Sequence, residues 1–195
     1  MSILTFEEAL GSYNNVKTLD KGKWIYVPGI DLDYRYILGT VGSDPVITIG
    51  INPSTATPEH PDNTIKSVKK ISIANGFDSF VMFNVYPQRA TNPDLLDKDF
   101  NKRLHTENLK AFNWLLERAK TPPYIWAAWG NLIEKRPYLK SCLFDLFEIA
   151  KEYNVTWLQA GKPTKKSHPH HPLYLRSEEP FYRFDVEEYL NTQRE

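Results

Sequence analysis

From Pro45 onward the chain alternates short apolar runs, rich in β-branched residues, with longer amphipathic stretches, and this alternation restricts the fold more than any other feature. The strand-like runs are Val46 to Ile51, Ser79 to Asn84, Tyr124 to Trp129 and Val155 to Gln159. Between them, helical spacing recurs near Thr64 to Asn75, Leu104 to Lys120 and Tyr138 to Tyr153. Strands that alternate with helices of this length require right-handed crossovers, and so a parallel sheet covered by helices. The pattern predicts an α/β fold: three layers, αβα, around a central, mostly parallel sheet of about four strands. Ahead of it, Trp24 to Val27 and Tyr34 to Leu38, punctuated by Pro28-Gly29, predict an N-terminal strand pair that follows a short helix near Thr5 to Leu10. Leu104, Leu109, Phe112, Leu115 and Leu116, with Trp114 nearby, fall at helical spacing and read as core. The tail Glu178 to Glu195 sets Phe181, Phe184, Val186, Tyr189 and Leu190 as a docking helix.

Bulk properties narrow the function classes. A chain of 195 residues, 41% hydrophobic and 25% charged, has the size of a single domain, 1–195, able to bury a full core. Lys+Arg 24 balances Asp+Glu 24, so any contact with nucleic acid must rest on a local patch. The single cysteine, Cys142, excludes an internal disulfide, a cysteine-ligated zinc knuckle and a four-cysteine iron-sulfur cluster. The start, Met1 to Glu8, has no basic and apolar leader pattern, and no apolar run approaches the roughly 20 residues of a membrane span. The expectation is a cytoplasmic protein with no membrane partner. No cofactor is expected either, because G-x-x-x-x-G-K-[ST], G-x-G-x-x-G and G-x-S-x-G are all missing.

In an open parallel sheet, the residues that follow each strand emerge at one edge, where such folds bind ligands. Here those residues are polar. The first strand ends in Gly50-Ile51-Asn52-Pro53-Ser54-Thr55 and the second in Asn84 to Arg89. The third ends in Trp129-Gly130-Asn131 and the fourth leads into Lys162 to Arg176. A carboxamide such as Asn84, closing the run Phe80 to Phe83, can both donate to and accept from the edge of a planar heterocycle. Asn52, Ser54, Thr55 and Asn84 also suit ordinary turns and helix caps, and both readings stand at this level. The same holds for Tyr34-Arg35-Tyr36 and Asp62-Asn63-Thr64, read either as cleft lining or as capping.

The last loop gathers His168, His170 and His171 with Lys162, Lys165, Lys166 and Arg176, without one acidic residue. Positive charge there suits phosphate backbone contacts by Lys162, Lys165 and Lys166, and Leu173 or Tyr174 could wedge or stack against a base. A rival reading is a metal site built from these histidines with His60 and Asp62, although the spacing matches neither H-E-x-x-H nor the deaminase pattern.

Taken in order, Gly50 to Ala56, Asn84 with Arg89-Ala90-Thr91, Ala128-Trp129-Gly130 and His168-Pro169-His170-His171-Pro172-Leu173-Tyr174 resemble a bacterial and phage family, domain of unknown function family 1643. The resemblance runs from about Arg35 to Leu175. The same order is more distantly similar to the uracil-DNA glycosylase superfamily, with its G-x-[DN]-P loop, strand ending in Asn, strand ending in Trp-Gly and late His-Pro loop carrying Leu. That resemblance implies a uracil-DNA-glycosylase-like fold and no metal. It implies that Asn52 holds the attacking water, that Asn84 reads a flipped base, and that His168 or His171 stabilises charge on the departing base. Leu173 would fill the gap left in the duplex. Gly50, Ile51, Pro53, Ser54, Thr55, Arg89, Trp129, Gly130 and Tyr174 would line the substrate site.

The leading expectation is therefore a glycosylase-like hydrolase that cleaves the N-glycosidic bond of a modified or mismatched base in DNA or a related nucleotide. Asn52 is no strong base, so such an enzyme would be slow or would need an activated leaving base. The alternatives are a non-catalytic nucleic-acid or nucleotide binding module on the same fold, and a His-ligated metal hydrolase.

Overall fold

The structure is a computed structural model that describes residues 3–12, 16–19, 22–119 and 122–193. In chain order its strands are β1 (Val16–Leu19), β2 (Gly22–Pro28), β3 (Arg35–Thr40), β4 (Pro45–Gly50), β5 (Ser79–Asn84), β6 (Tyr124–Ala127), β7 (Thr156–Ala160) and β8 (Phe181–Arg183). Its α-helices are α1 (Phe6–Ser12), α2 (Asn63–Ala74), α3 (Lys102–Arg118), α4 (Pro137–Lys151) and α5 (Val186–Thr192). The expected ends at Lys120 and Glu195 lie outside the described residues.

Val46, Ile47, Thr48 and Ile49 carry branched β-carbons that a pleated strand accommodates better than a helix, and they make β4 the centre of the sheet. The strand order is β1-β2-β3-β5-β4-β6-β7-β8. Within it β5, β4, β6 and β7 are the expected parallel strands, in registers that set Gly50 beside Asn84 and Ile49 beside Ala127.

The sheet is larger than about four strands. The N-terminal pair, β2 with β3, is antiparallel as expected, but it does not stand apart, since β3 pairs antiparallel with β5 through Leu38 and Gly39. Gly39 permits this approach: a Cβ there would lie 2.3 Å from the Phe80 carbonyl oxygen. At the other edge β8 pairs antiparallel with β7. The physical reason is the same on both sides, because a bare edge of the parallel core would leave a row of N–H and C=O groups unpaired. The tail is accordingly split, with Phe181 in β8 and only Val186, Tyr189 and Leu190 on a helix, α5, which Asp185 caps through its bond from the Glu188 N–H, 2.9 Å.

Alternation along the strands divides the core in two. Ile47, Ile49, Val81, Phe83, Ile125 and Ala127 join one apolar cluster with residues of α1, α3, α4 and α5. Val46, Phe80, Met82, Trp126 and Ala128 join the other with Ile65, Val68 and Ile71 of α2. Asp62 starts α2 by accepting the Ile65 N–H at 2.9 Å, and Gly76, at φ 88, lets the chain turn out of its end. Leu104, Phe112, Leu115 and Leu116 are buried as their spacing predicts. Among the described residues no helix is long and apolar enough to cross a membrane.

Helix α3 begins at Asn101, whose side chain accepts the Leu104 N–H at 3.1 Å. Replacing it by Ala is expected to cost about 1 kcal/mol, read as a lower urea midpoint at unchanged slope.

Candidate functional site

β4 runs between β5 and β6, but the chain leaves it in two directions: α2 crosses one face toward β5, and α3 and α4 cover the other face on the way to β6 and β7. Loops therefore part at the carboxyl ends of β4 and β6, the place where parallel sheets open a ligand crevice. Backbone pairing continues beyond the strands and holds the rims. Val85 N–H donates to Gly50 O at 2.9 Å, Tyr86 N–H to Ile51 O at 2.9 Å, Ala90 N–H to Pro53 O at 2.9 Å and Ala128 N–H to Ile49 O at 3.0 Å.

Asn84 ends β5 on the same side of the sheet as Phe80 and Met82, the α2 side. It is 1% exposed, and neither its Nδ2 nor its Oδ1 has a hydrogen-bond partner among the described residues. Leaving a buried amide unpaired costs about 1–3 kcal/mol per group. Gly50 lies beside it; a Cβ there would come within 2.5 Å of Met82 Cε and 3.1 Å of Asn84 Oδ1, so a side chain at this position would press on Met82 and on the amide. On the same face Thr48 Oγ1 and Trp126 Nε1, neighbours in register, are also buried and unpaired. Sequence reasoning passed over these two, because a Thr or Trp in an apolar run reads as strand former.

Asn52 is half-buried, and its Nδ2 donates to Pro53 O at 3.0 Å and Ala90 O at 2.8 Å. The amide is thus locked with Oδ1 left as an acceptor. Ile51 and Pro53 are buried, Ser54 is half-buried and Thr55 exposed. Arg89 is half-buried; its Nη2 donates to the Tyr26 hydroxyl at 2.7 Å and to Ala56 O at 3.4 Å.

Gly130 adopts φ +60, a left-handed conformation that favours glycine, and its N–H donates to Pro169 O at 2.9 Å. This draws the histidine loop onto the end of β6, with His171 Cβ 3.3 Å from where a Gly130 Cβ would be. The two candidate histidines then separate. His168 is 1% exposed and engaged at both nitrogens: Nδ1 lies 2.8 Å from the Tyr189 hydroxyl and Nε2 3.0 Å from Glu134 Oε1. The Tyr189 oxygen accepts the Trp129 indole N–H at 3.0 Å, so its own proton goes to Nδ1 and Nε2–H donates to Glu134. Hydrogen bonds from Lys166 and His168 hold the Glu134 carboxyl down to about 2. Trp129 is wholly buried against Trp157, Phe184 and Tyr189, inside the core cluster of α3 and α4. His168 and Trp129 thus brace the loop from behind.

His171, in contrast, is half-buried at the turn Pro172–Tyr174, which packs against α2. Its Nδ1 accepts the Leu173 N–H at 3.3 Å, which leaves Nε2–H as a donor. Burial pushes its pKa down to about 4, against the opposing pull of the Asp62 carboxylate. Leu173 and Tyr174 are 46% and 76% exposed. Lys162 and Lys165 are exposed, whereas Lys166 is paired with Glu134. Among the described residues no three His, Cys, Asp or Glu side chains gather as a metal ion would need, His60 and Asp62 included. A groove of about 750 Å³ between α1 and α3, lined by Phe6, Leu109 and Trp114, contains none of the candidate site residues read from sequence.

The family model described as protein of unknown function (DUF1643) matches residues 35–173. No curated protein and no solved structure matches the chain.

His171 makes stability depend on pH. Its folded pKa, about 4, lies below the ordinary value of 6.5, so the unfolded chain binds the extra proton between them. Stability is complete above pH 6.5 and falls as pH drops toward 4. The wild type should lose up to about 3 kcal/mol over this window that His171→Gln does not, measured by urea denaturation at stepped pH.

Proposed function

Since the chain belongs to the DUF1643 family, whose description assigns no activity, we propose its function from the site: a uracil-DNA-glycosylase-like crevice that takes a nucleobase and hydrolyses its N-glycosidic bond. The observation that carries this reading is Asn84, buried with both ends of its amide unpaired beside the bare α-carbon of Gly50. A donor and an acceptor side by side in one plane match the edge of a base, and such a partner would relieve the desolvation cost of the amide.

The remaining groups have complementary roles. Cleavage moves the bond electrons onto the base while the sugar gains oxocarbenium character. His171, an uncharged imidazole with Nε2–H to give, stabilises a base oxygen as negative charge grows there. Asn52 Oδ1, locked by the two bonds of its amide, accepts from a water and aims it at the sugar. Water adds to the sugar carbon, the carbon–nitrogen bond breaks, and the water's proton passes through solvent to the departing base. If the base lies in a polynucleotide, exposed Leu173 and Tyr174 are placed to fill the vacated stack, with Lys162 and Lys165 near phosphates. Gly130 shapes the loop, and the fold assignment within the superfamily belongs to this proposal.

A second reading, a binding module without catalysis, draws on one observation: Asn52 spends both bonds of its amide on Pro53 and Ala90, and a carboxamide cannot take the water's proton.

The deciding experiment follows base release in EDTA from oligonucleotides and nucleotides with uracil, mismatched thymine and modified bases. Asn84→Ala and Asn52→Ala should each lower release about 100-fold or more with circular dichroism unchanged. Release that survives both substitutions overturns the glycosylase reading. Ligand binding that Asn84→Ala abolishes, without any release by the wild type, establishes the module.

Gly50→Ala tests the same space from the other wall. The nearest obstacle is the flexible end of Met82, so the variant should fold with little loss of thermal stability while its base release or ligand binding falls.

A further inference from the structure

Arg35 and Arg89 converge on one carbonyl. Arg35 Nη1 donates to Ala56 O at 3.1 Å and Arg89 Nη2 to the same oxygen at 3.4 Å. Arg35 is 2% exposed, Arg89 is half-buried, and the Nε of each is buried without a partner among the described residues. Arg35 Nη2 and Arg89 Nη1 also make no hydrogen bond among the described residues. Neither guanidinium has a carboxylate within 4.0 Å among those residues. Asp62, the negative group whose field reaches Arg35, uses its carboxylate to cap α2.

A buried and a half-buried like charge whose Nε donors are both buried without a partner are costly unless an anion completes them. Burial, and then the charge of Arg89, push the Arg35 pKa down to about 9, which registers that cost. The pair adjoins the Asn84 crevice: Ala56 and Tyr26 lie in the apolar cluster on its side of the sheet, and Ala90, next to Arg89, holds the Asn52 amide.

We propose that Arg35 and Arg89 form a phosphate subsite, and that the ligand of the neighbouring crevice is a small molecule with a terminal phosphomonoester, a nucleotide rather than duplex DNA. Planar guanidiniums bind phosphate oxygens in forked pairs. A monoester carries close to two negative charges at neutral pH, matching two cations, whereas an internal diester carries one. A discrete pair, one member buried and one half-buried, also fits a chain whose Lys+Arg 24 and Asp+Glu 24 cancel, for duplex binding draws on many exposed cations. The phosphate subsite stands on its own geometry; only the word nucleotide rests on the base-binding reading of Asn84.

The test is calorimetric titration of the full chain with inorganic phosphate, methyl phosphate and dimethyl phosphate at constant ionic strength. Saturable binding of the first two is expected, with dimethyl phosphate about tenfold or more weaker. Arg89→Gln should lose phosphate binding, as should Arg35→Met, which removes the buried charge while keeping most of the side-chain volume. Asn84→Ala should bind phosphate as the wild type does, so a failed base reading leaves this result standing. No saturable phosphate binding by the wild type overturns the proposal, as does binding undiminished in Arg89→Gln. Equal affinity for dimethyl phosphate overturns the monoester assignment, and loss of phosphate binding in Asn84→Ala overturns the assignment to the arginine pair.

Discussion

Parallel pairing of β4 on both of its edges, with β5 and with β6, is the constraint from which the rest of the molecule follows. A strand so placed cannot send both crossovers over one face, because the chain goes first to β5 and then returns past β4 to β6. Right-handed connections put α2 on one side and α3 and α4 on the other. The loops after β4 and β6 part at this point, and their rim is held because the carbonyl oxygens of Gly50, Ile51 and Pro53 accept from N–H groups of the chain after β5, which continues the ladder into the loops. Asp78 secures the opposite end, where its carboxylate accepts from the N–H groups of Ser43 and Asp44, both at 2.8 Å, and so joins the starts of β4 and β5.

Both faces of the sheet bury polar groups, and each leaves some of them unpaired among the described residues. On the α3 side Glu107 accepts the Phe6 N–H at 2.8 Å, Trp129 gives its N–H to Tyr189, and His168 is used at both nitrogens. On the α2 side, among the described residues, Asn84, Thr48 and Trp126 keep unpaired atoms, and the Arg35 and Arg89 guanidiniums stand without carboxylates. On the α3 side, too, His105 Nδ1 and Asn108 Oδ1 are buried without a partner among the described residues, so unmet hydrogen-bonding capacity is shared by both faces. The proposed base and phosphate subsites draw on adjacent parts of the α2 side.

Much of this was legible from periodicity. The parallel strands, the core stripe of α3 and the polar strand ends all came from local patterns, since a β-branched run or a 3.6-residue spacing states its own secondary structure. The edge strands were harder. β8 is only Phe181–Arg183, and its pairing with β7 depends on a neighbour far away in sequence. The histidine loop shows the same limit more sharply: His168 and His171 have similar local surroundings, and only Tyr189 and Glu134, brought in from α5 and from the turn after β6, set the first apart by engaging both of its nitrogens. Arg35 could be read as cleft lining or as capping until its place beside Arg89 and Ala56 was known.

By itself, then, the sequence determined which segments are strands and helices and that polar residues gather where the parallel strands end, because backbone preference and the alternation of apolar side chains are local properties. Tertiary structure decided the extent of the sheet, which histidine braces and which one is offered, and which buried donors go without partners. Those are matters of hydrogen bonding and charge between residues distant in the chain, so they depend on what each side chain meets after folding rather than on its sequence neighbours.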